Sequence, residues 1–521
     1  MKLNKIEKLK IELSPFEYYK NINNLKIENI KESDRFYLKN FGIYNTKLNP
    51  EKFMLRIRIA GGRVKNESLL KIIHLAKKYE AKILITARAQ IELHNLSLEN
   101  VIKIHKNLEE NKITTFQTLT DNFRNIITDP LDGIGKESVF EVYPIILKMQ
   151  SLFLKNPEFI GMIPRKFNTA ISANIKNISS FFGNDCYFAL AKKNGVFGFN
   201  IYLGGKNTEF AKSADIFVKK EEVIPMYDAI IKAYKKYGLR ENRTKARLFH
   251  LIEKISMEGF KEKIEEFYNK KLQSSGELIS EDFKTDDDWF ELKNKKFAYR
   301  FKTDFGEIDI ETFENLIKEA KDKEIRLGVD QNIYIIGFSD KNFSIKPLSN
   351  NQNITVCAGS RYCIYSLFDT KKESHNLILK EINRYRIKVG YSGCLKGCGR
   401  HILADIGFVG IRTNLFGKVE RGVRLYLGGL YTKGEIPARL IFWAVPLRKL
   451  NDVLKIIIDD FKNSGYKRFE EYSKNILLKF NEQEIAYMIL SKLRNEKIEK
   501  LPDDEKIFEK LKNLEKEAFS Q

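Results

Sequence analysis

The sequence predicts an α+β protein built from a duplicated unit, and three observations carry that expectation. IYLGG at Ile201 to Gly205 recurs as LYLGG at Leu425 to Gly429, an offset of 224 residues. Ala76 to Leu93, AKKYEAKILITARAQIEL, resembles Lys318 to Ile335, KEAKDKEIRLGVDQNIYI, at an offset of 242, with Ile83, Ile85, Ala87, Ile91 and Leu93 falling on Ile325, Leu327, Val329, Ile333 and Ile335. In both halves, runs with the two-residue period of a strand alternate with runs at helical spacing, which points to mixed α and β layers.

The elements follow in order. Residues 1–49 read as an N-terminal helical extension, a short amphipathic helix and a linker. A small α+β piece spans 50–125. Within it Met54 to Ala60 alternates, with Leu55, Ile57 and Ile59 on one face and Arg56 and Arg58 on the other. Gly61 and Gly62 supply a turn, and Leu69 to Tyr79 has helical spacing. Ile83 to His94 reads as one strand, with Thr86, Arg88, Gln90, Glu92 and His94 on its polar face. A larger mixed domain spans 126–275, ending beyond an IYLGG strand that precedes a basic, helix-patterned stretch. The Ser- and Asp-containing stretch Gln273 to Asp288 marks a linker, placed at 276–294. The second small piece is then 295–345, the second large one 346–485, and 486–521 a helical tail; Lys492 to Lys516 reads as exposed amphipathic helix.

Composition narrows the function. A chain of 521 residues suggests roughly three or four domain-sized units. Its 43% apolar and 12% aromatic content is that of a folded protein rather than a disordered one. The net charge of +22 predicts an acidic partner or anionic ligand, set against a Lys-rich compositional bias. The first twenty residues lack a signal-peptide core, and the longest apolar run, Leu440 to Leu447, is too short to cross a bilayer. Neither a phosphate-binding loop nor a dinucleotide fingerprint is present, since GIGKE at Gly133 to Glu137 lacks the required spacing.

Five cysteines with no secretory signal predict a reducing compartment in which thiols act as ligands. Four of them group as Cys357-x5-Cys363 and Cys394-x3-Cys398. The wide first gap is wrong for a zinc knuckle, whereas four thiolates from two loops suit an iron-sulfur cluster. Gly359, Gly393, Gly397 and Gly399 would let backbone N–H groups approach the sulfurs. Cys186, alone on a strand-like run, reads as a packed core thiol.

The stretch GCLKGCGRHILADIGFVG, Gly393 to Gly410, resembles the signature of the sirohaem and iron-sulfur dependent nitrite and sulfite reductases, and CAGSRYC resembles its partner motif. FMLRIRIAGG, TARAQIELH, DNFRNI and IPRKFNTAIS resemble that family's three arginine motifs and its lysine motif, in order, over about residues 50 to 480. The resemblance implies the duplicated nitrite/sulfite reductase fold, with two ferredoxin-like half-domains and two larger sirohaem and cluster domains. It implies a 4Fe-4S cluster on Cys357, Cys363, Cys394 and Cys398, with the Cys398 thiolate shared by the sirohaem iron. Arg56, Arg124, Lys166 and Asn168 match the anion cage, Arg88 matches a sirohaem carboxylate contact, and Arg58 is assigned either a sirohaem or a structural contact.

Asn168 bears on substrate, because the sulfite-reducing members commonly carry Lys there and the nitrite-reducing ones Asn. A cage with one fewer ammonium suits monoanionic nitrite better than sulfite, which is largely dianionic near neutral pH. The implied activity is six-electron reduction of nitrite to ammonia, with sulfite reduction as the alternative and a basic metal- or nucleic-acid-binding protein as the reading from another class. The implied partner is an acidic ferredoxin, with no nucleic acid or membrane, and the chain is expected to be a cytoplasmic monomer. Leu395 and Lys396 depart from the Pro and Asn usual between the last two cysteines, and Ala89 from a usual Gln. The six histidines form no pair at metal spacing, and His401 reads as a surface residue at a helix start.

Overall fold

The structure, a computed structural model, describes residues 3–46, 48–282, 287–351, 353–496, 501 and 504–520. They form two compact units, the first of residues 3–206, 210–282 and 287–348, the second of the described residues in 207–209 and 349–520.

The first unit holds two small sheets that repeat each other. In the first, strands run in the order Ile43–Thr46, Asn49–Ile57, Ile91–Leu96, Lys82–Ile85 and Glu307–Ile308. Ile83 pairs with Leu93 and Ile85 with Ile91, so the stretch expected to be one strand is a hairpin. Between its arms the Thr86 N–H donates to the Gln90 carbonyl and the Ala89 N–H to that of Thr86, both at 2.9 Å, with Ala89 at φ +52°. The loop keeps the apolar alternation through Ala87 and Ala89, so period alone could not reveal the reversal. The second sheet repeats the hairpin 242 residues on. Ile325 pairs with Ile335 and Leu327 with Ile333, the Gly328 N–H donates to the Asn332 carbonyl at 2.8 Å, and Gln331 takes φ +70°.

The two small sheets exchange edge strands. Arg63–Val64 of the first half pairs with Glu324–Leu327 of the second, and Glu307–Ile308 returns to pair with Lys82–Ile85. Gly62, at φ +75°, permits the first crossing, since a Cβ there would lie 2.2 Å from the Leu327 carbonyl oxygen. Each half thereby covers the edge that the other would leave open. Amphipathic helices pack on the sheets. Asn66–Lys78 buries Leu69, Ile72, Ile73 and Ala76, and Leu98–Glu110, capped by the Ser97 hydroxyl, buries Val101, Ile104, His105 and Leu108.

The larger sheet of the first unit sets Phe123–Ile127, Phe167–Ser172 and Cys186–Lys193 parallel, followed by antiparallel Val196–Leu203 and Lys212–Lys219. Phe167–Ser172 is buried along its length, as expected of a parallel strand covered on both faces. Helices Tyr143–Ser151, Val223–Tyr237 and Leu248–Glu265 supply Ile146, Met149, Met226, Ile230 and Phe260 to this core, which also contains Cys186. The second unit repeats the order. Ile354–Val356, Val389–Ser392 and Ile406–Thr413 are parallel, then Glu420–Leu427 and Arg439–Pro446 antiparallel. IYLGG and LYLGG each end the fourth strand of their sheet. A fifth strand, not read from the sequence, intervenes before helices Val223–Tyr237 and Leu450–Asn463.

Other expectations need correction. The extension is not only helical, because after helices Lys5–Glu12, Pro15–Tyr19 and Asp34–Leu38 the strand Ile43–Thr46 joins the first sheet. The linker is partly structured, with Leu278 pairing across to Ala191; residues 283–286 lie outside the described ones. In the tail, helices Glu482–Leu493 and Asp504–Ser520 form, and the second buries Ile507 and Phe519 rather than lying fully exposed. Residues 497–500, 502 and 503 of the Lys-rich stretch lie outside the described ones. Among the described residues no helix is long and apolar enough to cross a membrane.

Candidate active site

In the first unit, cations gather around the turn at residues 116–124. Arg56 stands opposite Glu92 in the register of the first small sheet, and its Nε donates to Glu92 Oε1 at 2.7 Å while Nη2 pairs with the same oxygen. Its Nη1 reaches the Thr118 carbonyl at 3.5 Å. Arg124, on Phe123–Ile127, donates from Nη1 to that same carbonyl at 2.6 Å and from Nη2 to the Thr120 carbonyl at 2.8 Å. Arg88 projects from the hairpin loop, with Nη1 on Asn184 Oδ1 at 2.8 Å and Nη2 on the Asn125 carbonyl at 2.6 Å. Burial, and then the charges of Arg56, Arg165 and Arg88, push the Arg124 guanidinium well below its ordinary value. An anion bound beside these groups would relieve that crowding.

Lys166 immediately precedes the strand Phe167–Ser172 and Asn168 lies on it. The Asn168 N–H donates to Asp185 Oδ2 at 2.8 Å, and Arg247 grips both oxygens of that carboxylate, at 3.1 Å from Nε and 2.5 Å from Nη2. The Asn168 carboxamide is buried. Sequence reasoning missed the neighbouring network around Asp121. This fully buried carboxylate pairs with Lys10 at 3.1 Å, Arg165 at 3.1 Å and Arg243 at 2.5 Å. Burial alone would raise its proton affinity, yet Lys10, Arg243 and Arg165 hold it well below the usual carboxylate range. The ion pairs span 44 to 122 residues of sequence, so only the place of Asp121 as the first residue of the DNFRNI motif offered a signal.

Of the two roles expected for Arg58, the structural one is filled. It is buried, and its Nε donates to the Phe116 carbonyl at 3.1 Å while Nη2 donates to those of Gln117 and Phe123 at 2.8 Å. Burial lowers its guanidinium to about 9. His401 is not a surface residue. It is 2% exposed, lies in a turn edge-on to Tyr426, and burial lowers its imidazole to about 4.

The four grouped cysteines belong to the second unit. Cys357 follows Ile354–Val356, and Cys394 and Cys398 follow Val389–Ser392, its parallel neighbour, so both loops leave the carboxyl ends of adjacent strands. That is where open α/β sheets place their ligands. The Cys357 N–H donates to the Tyr391 carbonyl at 2.9 Å, and the Gly393 N–H donates to Cys357 Sγ at 3.1 Å. Gly393 is required sterically as well, since a Cβ would lie 1.9 Å from Ser366 Oγ. Burial, then the neighbouring Cys357 and Cys394 sulfurs, push the Cys363 thiol up, against the Tyr365 N–H and Lys396. Among the described residues no three Cys, His, Asp or Glu groups close on a single ion. A cubane makes a different demand, because each sulfur binds its own iron.

Residues 119–272 and 348–476 match the sequence model of the nitrite and sulphite reductase 4Fe-4S domain, and residues 46–111 match that of the nitrite/sulfite reductase ferredoxin-like half domain. The chain belongs to the nitrite and sulphite reductase family. This reductase is 28% identical to the ferredoxin–nitrite reductase of Synechococcus elongatus, over 88% of this chain and 97% of that one. It is 26% identical to the chloroplastic ferredoxin–nitrite reductase of Spinacia oleracea, over 88% and 86%. Its fold is that of the NirA protein of Mycobacterium tuberculosis, with a TM-score of 0.82 and 22% identity over 92% of this chain and 97% of that one. The reductase is thus an oxidoreductase enzyme whose family cofactors are sirohaem and a 4Fe-4S cluster. Its residues fit that pair. The soft donor set Cys357, Cys363, Cys394 and Cys398, one sulfur already accepting a backbone N–H, suits the cluster. The crowded guanidinium groups of Arg56, Arg88 and Arg124 suit a carboxylate-rich macrocycle and an oxyanion.

Proposed function

We propose that this reductase converts nitrite to ammonium with six electrons from ferredoxin, NO2− + 6 e− + 8 H+ giving NH4+ + 2 H2O. The observation that carries the reading is the convergence of Arg56 and Arg124 on the Thr118 carbonyl, guanidinium donors to which the family resemblance adds the buried, neutral Asn168 where a further ammonium would suit a dianion. The relatives named above, both ferredoxin–nitrite reductases, support it.

In this reading Arg56, Arg124 and Lys166 bind the anion and Asn168 orients it by hydrogen bonding. Arg88 would hold a sirohaem carboxylate, Cys357, Cys363, Cys394 and Cys398 would hold the cluster, and Cys398 would serve the sirohaem as well. When bound, the two cofactors supply the electrons and the iron on which the anion is reduced. The protein's own part is electrostatic. Fixed donors stabilise the charge that builds as oxygen leaves, and Lys166 can carry a proton toward the departing oxygen. The Thr118 and Thr120 carbonyls hold the Arg124 guanidinium in place before the anion arrives. The acidic donor would meet a strongly basic chain, and we place the reaction in the cytoplasm, where thiol ligands stay reduced.

The test is ammonium formation by the purified holoenzyme with reduced ferredoxin, measured against salt. One ammonium per nitrite, with a rate that falls as salt rises, supports the reading. Consumption of nitrite without ammonium would refute it.

A further inference from the structure

The cage contains a negative charge as well as positive ones. Glu92 lies on Ile91–Leu96 directly across from Arg56, and its side chain is 4% exposed. One carboxylate oxygen takes the Nε and Nη2 edge of Arg56, and the other is 2.9 Å from Nε2 of His94, itself buried. Arg56 in turn shares the Thr118 carbonyl with Arg124. Burial works against ionisation of Glu92, but Arg56 and His94 outweigh it and lower its carboxyl to about 2, so the group is an anion at any pH at which the enzyme would work.

We propose that Glu92 is a specificity-determining residue, whose fixed negative charge offsets Arg56 and biases the cage toward a monoanion over a dianion. This deepens the nitrite reading and rests on it. A positioning role alone needs only an acceptor for the Arg56 N–H groups, and a neutral amide would provide one. A buried carboxylate beside the anion site does more, because its repulsion acts twice as strongly on a doubly charged ligand. Asn168 and Glu92 then act in the same direction, one by lacking a cation and the other by cancelling one.

The substitution that separates charge from shape is Glu92→Gln, which keeps the acceptor oxygen and removes the charge. Anaerobic spectral titration of the oxidised holoenzyme with nitrite and with sulfite gives Kd values independent of turnover, and KM and kcat for both anions follow. We expect Glu92→Gln to lower the sulfite Kd relative to the nitrite Kd by about tenfold or more. The charge-retaining Glu92→Asp should keep the wild-type ratio even where its overall affinity falls. An unchanged ratio in Glu92→Gln, or the same ratio shift in Glu92→Asp, would overturn the inference while leaving nitrite reduction by the wild type standing. A wild-type enzyme that binds and reduces no nitrite would overturn the functional reading and this inference with it.

Discussion

Arg56 and Arg124 donate to the same carbonyl oxygen, that of Thr118, at 3.5 and 2.6 Å. Two guanidinium groups from different strands are thereby brought to one point, where each repels the other and an arriving anion relieves both. Replacing Arg124 with Gln should lower kcat/KM for nitrite by about 10² to 10³, the usual effect of losing one preorganised donor. The visible spectrum of the bound cofactors should persist, and steady-state kinetics beside that spectrum check the claim.

Asn168→Lys adds an ammonium to the strand position whose backbone N–H donates to Asp185, the partner of Arg247. Relative turnover should move toward sulfite, read from paired assays on the same preparation. Equal change for the two anions would remove Asn168 from the substrate argument.

The cysteines should separate by function. Cys363→Ser removes a thiol crowded by two others and should deplete iron and acid-labile sulfide. Cys186→Ser buries a hydroxyl in the apolar core and should cost about 1–3 kcal/mol of stability with iron content unchanged. Metal analysis and urea denaturation make the comparison.

His105 predicts an acid-sensitive fold. It is buried between the Tyr19 hydroxyl at 2.9 Å and Thr115 Oγ1 at 2.8 Å, and burial first, then Lys155 against an opposing Glu109, lowers its imidazole to about 4. Unfolded, it would titrate near 6.5. The folded state therefore binds fewer protons in that window. The contribution is present in full above about pH 6.5 and is lost as pH falls toward 4. Urea midpoints should drop between pH 6.5 and 5, and His105→Gln should flatten that slope.

Much of this was legible before the structure, for definite reasons. The duplication showed because matching apolar positions keep identical pairings, Ile83 with Leu93 and Ile325 with Ile335. The cysteines showed because both pairs sit in short loops at adjacent strand ends. The hairpin turn at Thr86–Gln90 did not show, since alanines preserve the strand period and a positive φ at Ala89 leaves no trace in residue type. Two-residue exchanged strands such as Arg63–Val64 carry no period at all. Lys10, Asp121 and Arg243 meet only in three dimensions. Glu92 was placed on the correct polar face, but its partner across the sheet was set by register, which alternation cannot specify.

Anaerobic turnover of nitrite and sulfite by the cofactor-loaded enzyme, side by side and with one artificial reductant, decides which anion the enzyme reduces. Nitrite should be reduced in preference, with six electrons consumed and one ammonium formed for each nitrite. Preferential reduction of sulfite to sulfide, or no reduction of nitrite by protein carrying both cofactors, would contradict the nitrite reading.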